Sequence, residues 1–571
     1  MKRVDFGNGR TLSNIAATAL PMFVAQILNL LYNIVDRIYI ARIPEIGTAA
    51  LGAVGMCFPI VILITAFTNM FGSGGAPLFS ISRGAGNRKE ASMIQNTSFF
   101  LLSTAALILT ITGELTGYPI LRVFGTSDQA MVHALPYLRI YLLGTLFSMI
   151  STGMNPFINA QGYSMVGMTT VIIGAAANII LDPLMIFVLG LGVEGAAIAT
   201  ILSQALSAAF VLRFLFGNKV DYRLRFLRAE EIRHCGQRAR RIIGLGMAAF
   251  IMQLTNSLVS VSCNNVLAHV GGDIYVSIMT IVNSARQMLE TPLLSITEGT
   301  SPIISYNYGA GRYRDVKEAG AIMFLLSMGY AGTVWILIRL FPSFVIGIFS
   351  SDARLMETAL PCFNLYFSTF IFMVFQHCGQ IIFKSLGKKN HAIFFSLLRK
   401  GFIVVPLTYL LPYAFHMGTD GVFAAEPVSN VLGGLACFIT MLVVVLPELN
   451  EKNSPPKAGC IKKHIMEIFS EYNECFRRYR YEKKTAVCDS GRHDPRPFNR
   501  RLRQFRHRRR TANGKDCPGA GRHRNDCPDT GRRGNGSPGT GKRHRNSSTG
   551  GSYGSSGRLR SRRLRRLCRN R

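Results

Sequence analysis

The chain has 571 residues, of which 49% are hydrophobic and 17% charged, with a formal net charge of +33 and a mean hydropathy of +0.24. These averages combine a long apolar region with a basic region that begins beyond Leu449. A soluble all-helical core is excluded, because its helices would need charged outer faces and the apolar segments lack them.

The apolar region is a succession of runs of roughly 20–28 residues, each long enough to cross a hydrocarbon core about 30 Å thick. About twelve runs follow one another along the chain: 13–41, 50–76, 94–117, 134–158, 165–189, 193–216, 241–268, 274–303, 318–342, 357–384, 391–415 and 421–447. The pattern predicts an all-α integral membrane protein with about twelve transmembrane helices.

The loops between these runs differ in their content of Lys and Arg. On the side where the chain starts, the loops are basic, most densely between residues 217 and 241. The opposite loops carry only Arg42, Arg122 and Arg354. Because basic loops remain in the cytoplasm, both ends of the membrane region are predicted to be cytoplasmic, in the inner (plasma) membrane of the cell.

One motif occurs twice, from Pro77 to Gly86 (PLFSISRGAG) and from Pro302 to Gly311 (PIISYNYGAG). It predicts two pseudo-symmetric six-helix lobes that enter the membrane from the same side, as parallel repeats around a central cleft, which favours a transporter over a channel. We interpret each Gly-Ala-Gly step as a tight turn, since no strand precedes it as a phosphate loop requires. The predicted domains are an N-terminal lobe at 1–216, a basic cytoplasmic linker at 217–241, a C-terminal lobe at 242–449 and a tail at 450–571.

Two acids, Asp36 and Asp182, lie inside predicted spans, and Asn178 precedes Asp182 by one helical turn. At 1.5 Å per residue, Asp36, Asp182 and Thr200 all lie about 9–11 Å below the predicted outer face. A carboxylate in hydrocarbon costs roughly 3 kcal/mol and usually marks an ion or substrate path. These four residues therefore predict a shared site, where a proton or Na⁺ would relieve the repulsion between two carboxylates.

Each of these residues also has a local interpretation. Asp36 precedes Arg37 and can form a surface pair with it, and Asp182 can form a hydrogen bond inside the bundle. Thr200 alone would more often be a helix-packing hydroxyl. Pro183 frees a backbone carbonyl beside Asp182, and our hypothesis is that the helix bends there when Asp182 binds a proton.

From residue 10 to about 447 the chain resembles the multidrug and toxic compound extrusion (MATE) family, in its prokaryotic DinF-like and MepA-like branch. The resemblance rests on the segments 20–41, 82–86, 159–162, 177–183, 192–200 and 305–311. It implies a twelve-helix, two-lobed antiporter that expels organic, often cationic, compounds with a proton or sodium gradient and needs no other cofactor. It also implies an ion-coupling site at Asp36, Asn178, Asp182 and Thr200, with no metal other than Na⁺.

The second lobe departs from another branch of that family, which carries acids on its seventh and tenth helices. Here the seventh span has Gln253 and the tenth has no acid between Pro361 and Lys384, so a coupling site of that kind is not expected. Arg286 and Glu290 are i,i+4 neighbours that can neutralise each other. The candidate lining residues of the substrate cleft are Gln26, Tyr32, Asn33, Gln253, Arg286, Glu290 and Glu298.

The tail at 450–571 is basic and of low complexity, and it is predicted to be disordered. Its partners would be anionic lipid or RNA, or it has no selected function and is an out-of-frame extension. The stretch from Gly536 to Lys542 has P-loop spacing, but it lacks the Ser or Thr that holds Mg²⁺ and the preceding strand. No arrangement of nucleophile and base indicates an enzyme.

Two function classes remain. The first is a monomeric, cation-coupled antiporter for drugs or organic cations. The alternative is a flippase or exporter of a lipid-linked precursor or metabolite, which would need several Arg or Lys pointing into the cleft to bind a diphosphate. Intramembrane basic residues are expected to be few, Arg286 being the clearest, and this favours the antiporter.

Overall fold

The computed structural model describes residues 3–44, 46–349 and 353–453, and the regular structure within these ranges is helical. The helices are α1 Thr11–Ala41, α2 Gly47–Gly84, α3 Arg88–Val123, α4 Asp128–Leu143, α5 Thr145–Ala160, α6 Ser164–Pro183, α7 Gly192–Phe216, α8 Ala229–Arg233, α9 Gly236–Val270, α10 Asp273–Gly309, α11 Tyr313–Leu340, α12 Pro342–Gly347, α13 Ala353–Tyr366, α14 Met373–Ser385, α15 Lys389–Leu397, α16 Val405–Tyr413 and α17 Gly418–Asn453. Nearly all of the predicted basic tail lies outside the described residues.

The long helices match the predicted spans. In the described part of the chain, nine helices are long and apolar enough to cross a membrane, and two bent pairs, α4 with α5 and α13 with α14, raise the number to eleven. The one predicted span not among these eleven, 274–303, corresponds to α10, which has 37 residues but carries Arg286, Glu290 and Glu298. The prediction of an all-α membrane protein is confirmed, and the charged side chains of α10 explain why this helix is less apolar than a typical span.

The buried hydrophobic residues form two cores, one drawn mainly from the first half of the sequence and one mainly from the second half. We call α1–α7 the N-lobe and α9–α17 the C-lobe. Each core draws mainly on one lobe, but the lobes exchange residues at their ends: Phe6 and Ile15 pack in the C-lobe core, and Ile242 and Leu245 pack in the N-lobe core. This exchange joins the lobes at the face of the bundle where α1 begins, which we call the N-terminal face.

The repeated motif lies at the contact between the lobes. A Cβ atom added to Gly84 would lie 2.9 Å from the Tyr306 carbonyl carbon, and one added to Gly309 would lie 2.7 Å from the Ile81 carbonyl carbon. The two copies thus cross each other backbone to backbone, and only glycine permits that approach. The next glycines, Gly86 and Gly311, have φ values of 71° and 74° and form the predicted tight turns.

The segment before α1 fills the groove between the lobes at this face. The Val4 N–H donates to the Gly162 carbonyl at 2.9 Å, and the Asn307 side chain donates to the Phe6 carbonyl at 3.1 Å. The buried Arg83 guanidinium lies over the rings of Phe6 and Tyr306 and donates to the Ala160 carbonyl at 2.6 Å. We call residues 3–9 the N-terminal strap, because they bind both lobes.

Candidate functional site

The packing of α1 against α6 brings the two predicted acids together. Asp36 lies in the last two turns of α1, and Asp182 lies next to the last residue of α6. Their carboxyl groups are close enough to interact with each other. The Asn178 side-chain amide donates to Asp182 Oδ1 at 3.0 Å. Three of the four residues predicted as the coupling site therefore form one cluster, which we call the acidic pair with its asparagine.

This cluster has more acceptors than donors. The Asp182 side chain is fully buried, and Asp36 Oδ1, Asp182 Oδ2 and Asn178 Oδ1 are buried without a hydrogen-bond donor. Burying an unpaired acceptor is costly, and two adjacent carboxylates repel each other in a low dielectric. A proton would turn one carboxyl into a donor, and a small cation would bind the free oxygens. The residues therefore fit either ion.

Thr200 lies on α7, which packs against α6. The contact seen for Thr200 uses its backbone carbonyl, which accepts a hydrogen bond from the Ser203 hydroxyl at 2.8 Å. Its predicted role in the coupling site stays a prediction.

Three tyrosines on α1 and α4 interact with the acidic pair through space. Tyr32 lies one turn before Asp36 on α1, and the rings of Tyr137 and Tyr141 on α4 are stacked with centroids 6.2 Å apart. All three interact electrostatically with Asp36. Tyr32 was a predicted lining residue, whereas Tyr137 and Tyr141 escaped the sequence reasoning because nothing in their own segment marks them.

The chain changes its helical form directly after the acidic pair. Residues Leu184–Val188 form a π-helix that continues α6 beyond Pro183. Proline lacks the N–H that an α-helix needs, and π-turns are frequent at functional sites. Gly195 of α7 lets the backbone approach this turn, since a Cβ there would lie 2.7 Å from the Met185 carbonyl oxygen. Bending at Pro183 on protonation remains our hypothesis.

The C-lobe holds a second polar site around a cavity of about 220 Å³. Arg286 and Glu290 of α10 line it and pair with each other, Arg286 Nε lying 3.2 Å from Glu290 Oε2. The ion pair expected from the i,i+4 spacing is therefore present. The same two side chains also face the cavity. The remaining walls are Asn256, Val259, Ser260, Cys263, Met279, Asn283, Gln287, Tyr366, Lys400, Val404, Val422 and Glu426.

Further buried charges surround this cavity. Glu426 Oε1 accepts hydrogen bonds from Lys400 Nζ at 2.7 Å and from Arg399 Nη2 at 2.8 Å, and Arg286 Nη1 lies 3.6 Å away. On the other side, His377 Nε2 lies 2.9 Å from Glu290 Oε1. We call the six residues the C-lobe charge cluster: Arg286, Glu290, His377, Arg399, Lys400 and Glu426.

The expectation that intramembrane basic residues are few was wrong. Arg399 and Lys400 lie in a π-helical segment, Leu398–Val404, between α15 and α16, and their side chains are only 6% and 5% exposed. Both fall inside the predicted span 391–415. Two adjacent cations in an apolar run, with Glu426 in the next span, were the signal that could have found them.

The other predicted lining residues have simpler surroundings. Lys384 Nζ contacts Glu298 Oε1 at 2.9 Å, so this acid is neutralised by a neighbour within the C-lobe. The Asn33 side chain donates to the Asn29 carbonyl at 2.6 Å. Gln26 on α1 and Gln253 on α9 are half-buried. Cleft roles for these residues stay predictions.

Comparison with known proteins identifies a family and several relatives that this chain resembles. The MatE family model matches twice, at residues 21–184 and 248–410, one copy in each lobe. The multidrug export proteins MepA of Staphylococcus aureus and Staphylococcus haemolyticus are 23% and 22% identical, over 75% and 74% of this chain and 92% and 91% of their own.

Solved structures show the same fold. One described as the outward-facing conformation of a multidrug resistance MATE family transporter of the MOP superfamily has a TM-score of 0.72 at 22% identity and covers 79% of this chain and 99% of its own. A Pyrococcus furiosus MOP superfamily transporter, described as having a binding pocket of reverse polarity, has a TM-score of 0.72 at 21% identity, over 80% of this chain and 99% of its own. The chain is a multi-pass membrane protein and belongs to the MatE family.

Proposed function

We propose that the protein is a secondary active multidrug efflux antiporter that exports organic cations in exchange for H⁺ or Na⁺. The observation that carries the proposal is the acidic pair with its asparagine, where three buried oxygens lack a donor. Relatives named multidrug export proteins support the substrate class. The carrier works as a monomer without an organic cofactor and catalyses no covalent reaction. It lies in the plasma membrane with both termini in the cytoplasm.

Helix α1 provides a physical link between ion binding and lobe movement. Near its end it carries Asp36, and near its start the Thr18 hydroxyl donates to the Gly299 carbonyl of α10 at 2.8 Å. A Cβ on Gly299 would lie 2.7 Å from Ala19 Cα, so α1 and α10 touch there by backbone. A change in the repulsion between Asp36 and Asp182 shifts α1, the helix that also closes the N-terminal face. Alternating access follows if ion occupancy biases this closure.

A second candidate function gains support from the C-lobe charge cluster. The flippase or exporter of a lipid-linked precursor requires several basic residues near the cleft, and Arg286 and Lys400 both line the C-lobe cavity. Glu290 and Glu426 line the same cavity and would repel a diphosphate. The organic-cation antiporter is therefore the favoured reading.

The test is uptake of ethidium into everted membrane vesicles, with proton and sodium gradients imposed separately. We expect one gradient to drive uptake in the native protein and neither to drive it in Asp36→Asn or Asp182→Asn. The control is Asp128→Asn, whose exposed carboxylate pairs with Arg122 at the start of α4. Normal gradient-driven uptake in both acid variants would refute the coupling site, and the gradient that works identifies the ion.

A further inference from the structure

The C-lobe charge cluster does not balance its charges. Three cationic side chains, Arg286, Arg399 and Lys400, share two carboxylates, Glu290 and Glu426. The sixth member, His377, contacts Glu290 and can only add positive charge if it is protonated. Among the described residues of this cluster, one positive charge is therefore in excess, in a region where an uncompensated charge is costly.

The excess charge faces the cavity. Arg399 is held away from it by hydrogen bonds to Glu426 and Asn430, at 2.8 and 2.6 Å. Arg286 and Lys400 instead form part of the cavity wall. Lys400 has three N–H donors and uses one for Glu426, while Arg286 has five and donates one, from Nη1, to the Tyr366 hydroxyl at 3.4 Å. Donors thus remain on both cations that an occupant of the cavity would meet.

The size of the cavity limits what it can hold. At about 220 Å³ it exceeds the roughly 150 Å³ that accommodates a benzene ring but is smaller than a typical site for a whole drug. Gln287 and Ser260 in its wall are exposed, so it has an open side. An occupant therefore places one group in the cavity and leaves the rest of the molecule outside.

We propose that this cavity binds the carboxylate of an amphoteric substrate, with Arg286 and Lys400 as the donors. A carboxylate carries one negative charge and matches the single positive excess, whereas a phosphate monoester would overcompensate it. Charged hydrogen bonds from Arg and Lys to a carboxylate are among the stronger polar contacts in proteins. The inference rests on the proposed export function and assigns the residues that would hold the acid of a substrate with both an amine and an acid.

Two dyes that differ by one methyl ester test this assignment. Rhodamine 110 carries a free carboxylate, and rhodamine 123 is its methyl ester, a pure cation. Binding of each dye to the purified full-length protein is measured by fluorescence polarisation without any ion gradient. The variants are Lys400→Met, Lys400→Arg and the control Lys384→Met, which removes a lysine paired one-to-one with Glu298 in the same lobe.

We expect Lys400→Met to weaken rhodamine 110 binding by about tenfold or more, while rhodamine 123 binding changes less than about twofold. Lys400→Arg and Lys384→Met should keep the preference for the carboxylate. Lys400→Met leaves two cations against two carboxylates, so it should fold, and thermal unfolding checks this. Absence of saturable rhodamine 110 binding, or an equal loss of both dyes, overturns the carboxylate site. Failure of the export function would appear in the vesicle assay instead, because dye binding needs no gradient.

Discussion

Replacing Gly309 by alanine tests whether the lobes close by direct backbone contact. The new Cβ would lie 2.7 Å from the carbonyl carbon and 2.8 Å from the Cα of Ile81, and the carbonyl oxygen is closer still. Ordinary carbon–carbon contacts are about 3.5–4.0 Å, so the backbones must separate by about 1 Å. Because the opposing atoms are main chain, no rotamer change can relieve the overlap.

The cost follows from that displacement. Overpacking of this kind costs about 1–3 kcal/mol, which lowers the population of the closed N-terminal face by about 5- to 150-fold. Hydrogen–deuterium exchange should report the opening as faster exchange in the N-terminal strap, whose Val4 N–H donates to the Gly162 carbonyl in this closed structure. Gradient-driven ethidium export should fall as the population of the closed N-terminal face falls.

The matched control lies in α2. Gly55 has no atom within 4 Å of an added Cβ, so Gly55→Ala should leave exchange in the strap unchanged. Gly84→Ala should reproduce the effect of Gly309→Ala from the other lobe, since its Cβ would meet the Tyr306 carbonyl. If Gly309→Ala exchanges and transports like Gly55→Ala, the lobes do not close through these glycines and the reasoning is refuted.

Two further substitutions probe contacts that join elements. Phe6→Ala removes a buried ring that packs against Arg83 and Tyr306 and should lower the free energy of unfolding by about 3 kcal/mol. Thermal unfolding measures this change, with the exposed Leu12→Ala as the control. An equal, small shift in both variants would contradict a stabilising role for the N-terminal strap. Glu426→Gln removes the carboxylate that Arg399 and Lys400 share and should destabilise the protein by about 3–5 kcal/mol, again read from thermal unfolding. A native-like unfolding temperature for Glu426→Gln would show that the cluster is not held by that charge.

The sequence predicted those features that depend on position along single helices. Run lengths located the spans, and counting residues from the outer ends of the predicted spans 13–41 and 165–189 was enough to bring Asp36 to the level of Asp182. The repeated glycines were interpreted as turns, and the turns are present. Their contact across the lobes was not foreseen, because a turn is a local property and the crossing of two helices is not.

The missed residues depend on partners from distant segments. Arg399 and Lys400 looked like interruptions of an apolar run until Glu426, from the next long helix, was seen to accept hydrogen bonds from both. Tyr137 and Tyr141 carry no charge signal, and only tertiary packing brings α4 near Asp36. Side-chain pairing between helices is set by tertiary packing, which hydrophobic periodicity does not encode.

Helices α1 and α10 give the two polar sites a common mechanical connection. Each is long and carries a polar site in one half, Asp36 on α1 and Arg286 with Glu290 on α10. In the other half they meet each other, where Thr18 and Gly299 are in contact. Under the proposed exchange, a charge change at either site would act on the same interface between the lobes. An ion at the acidic pair and a substrate group in the C-lobe cavity would then compete through this interface without touching, which is the coupling that exchange of one for the other requires.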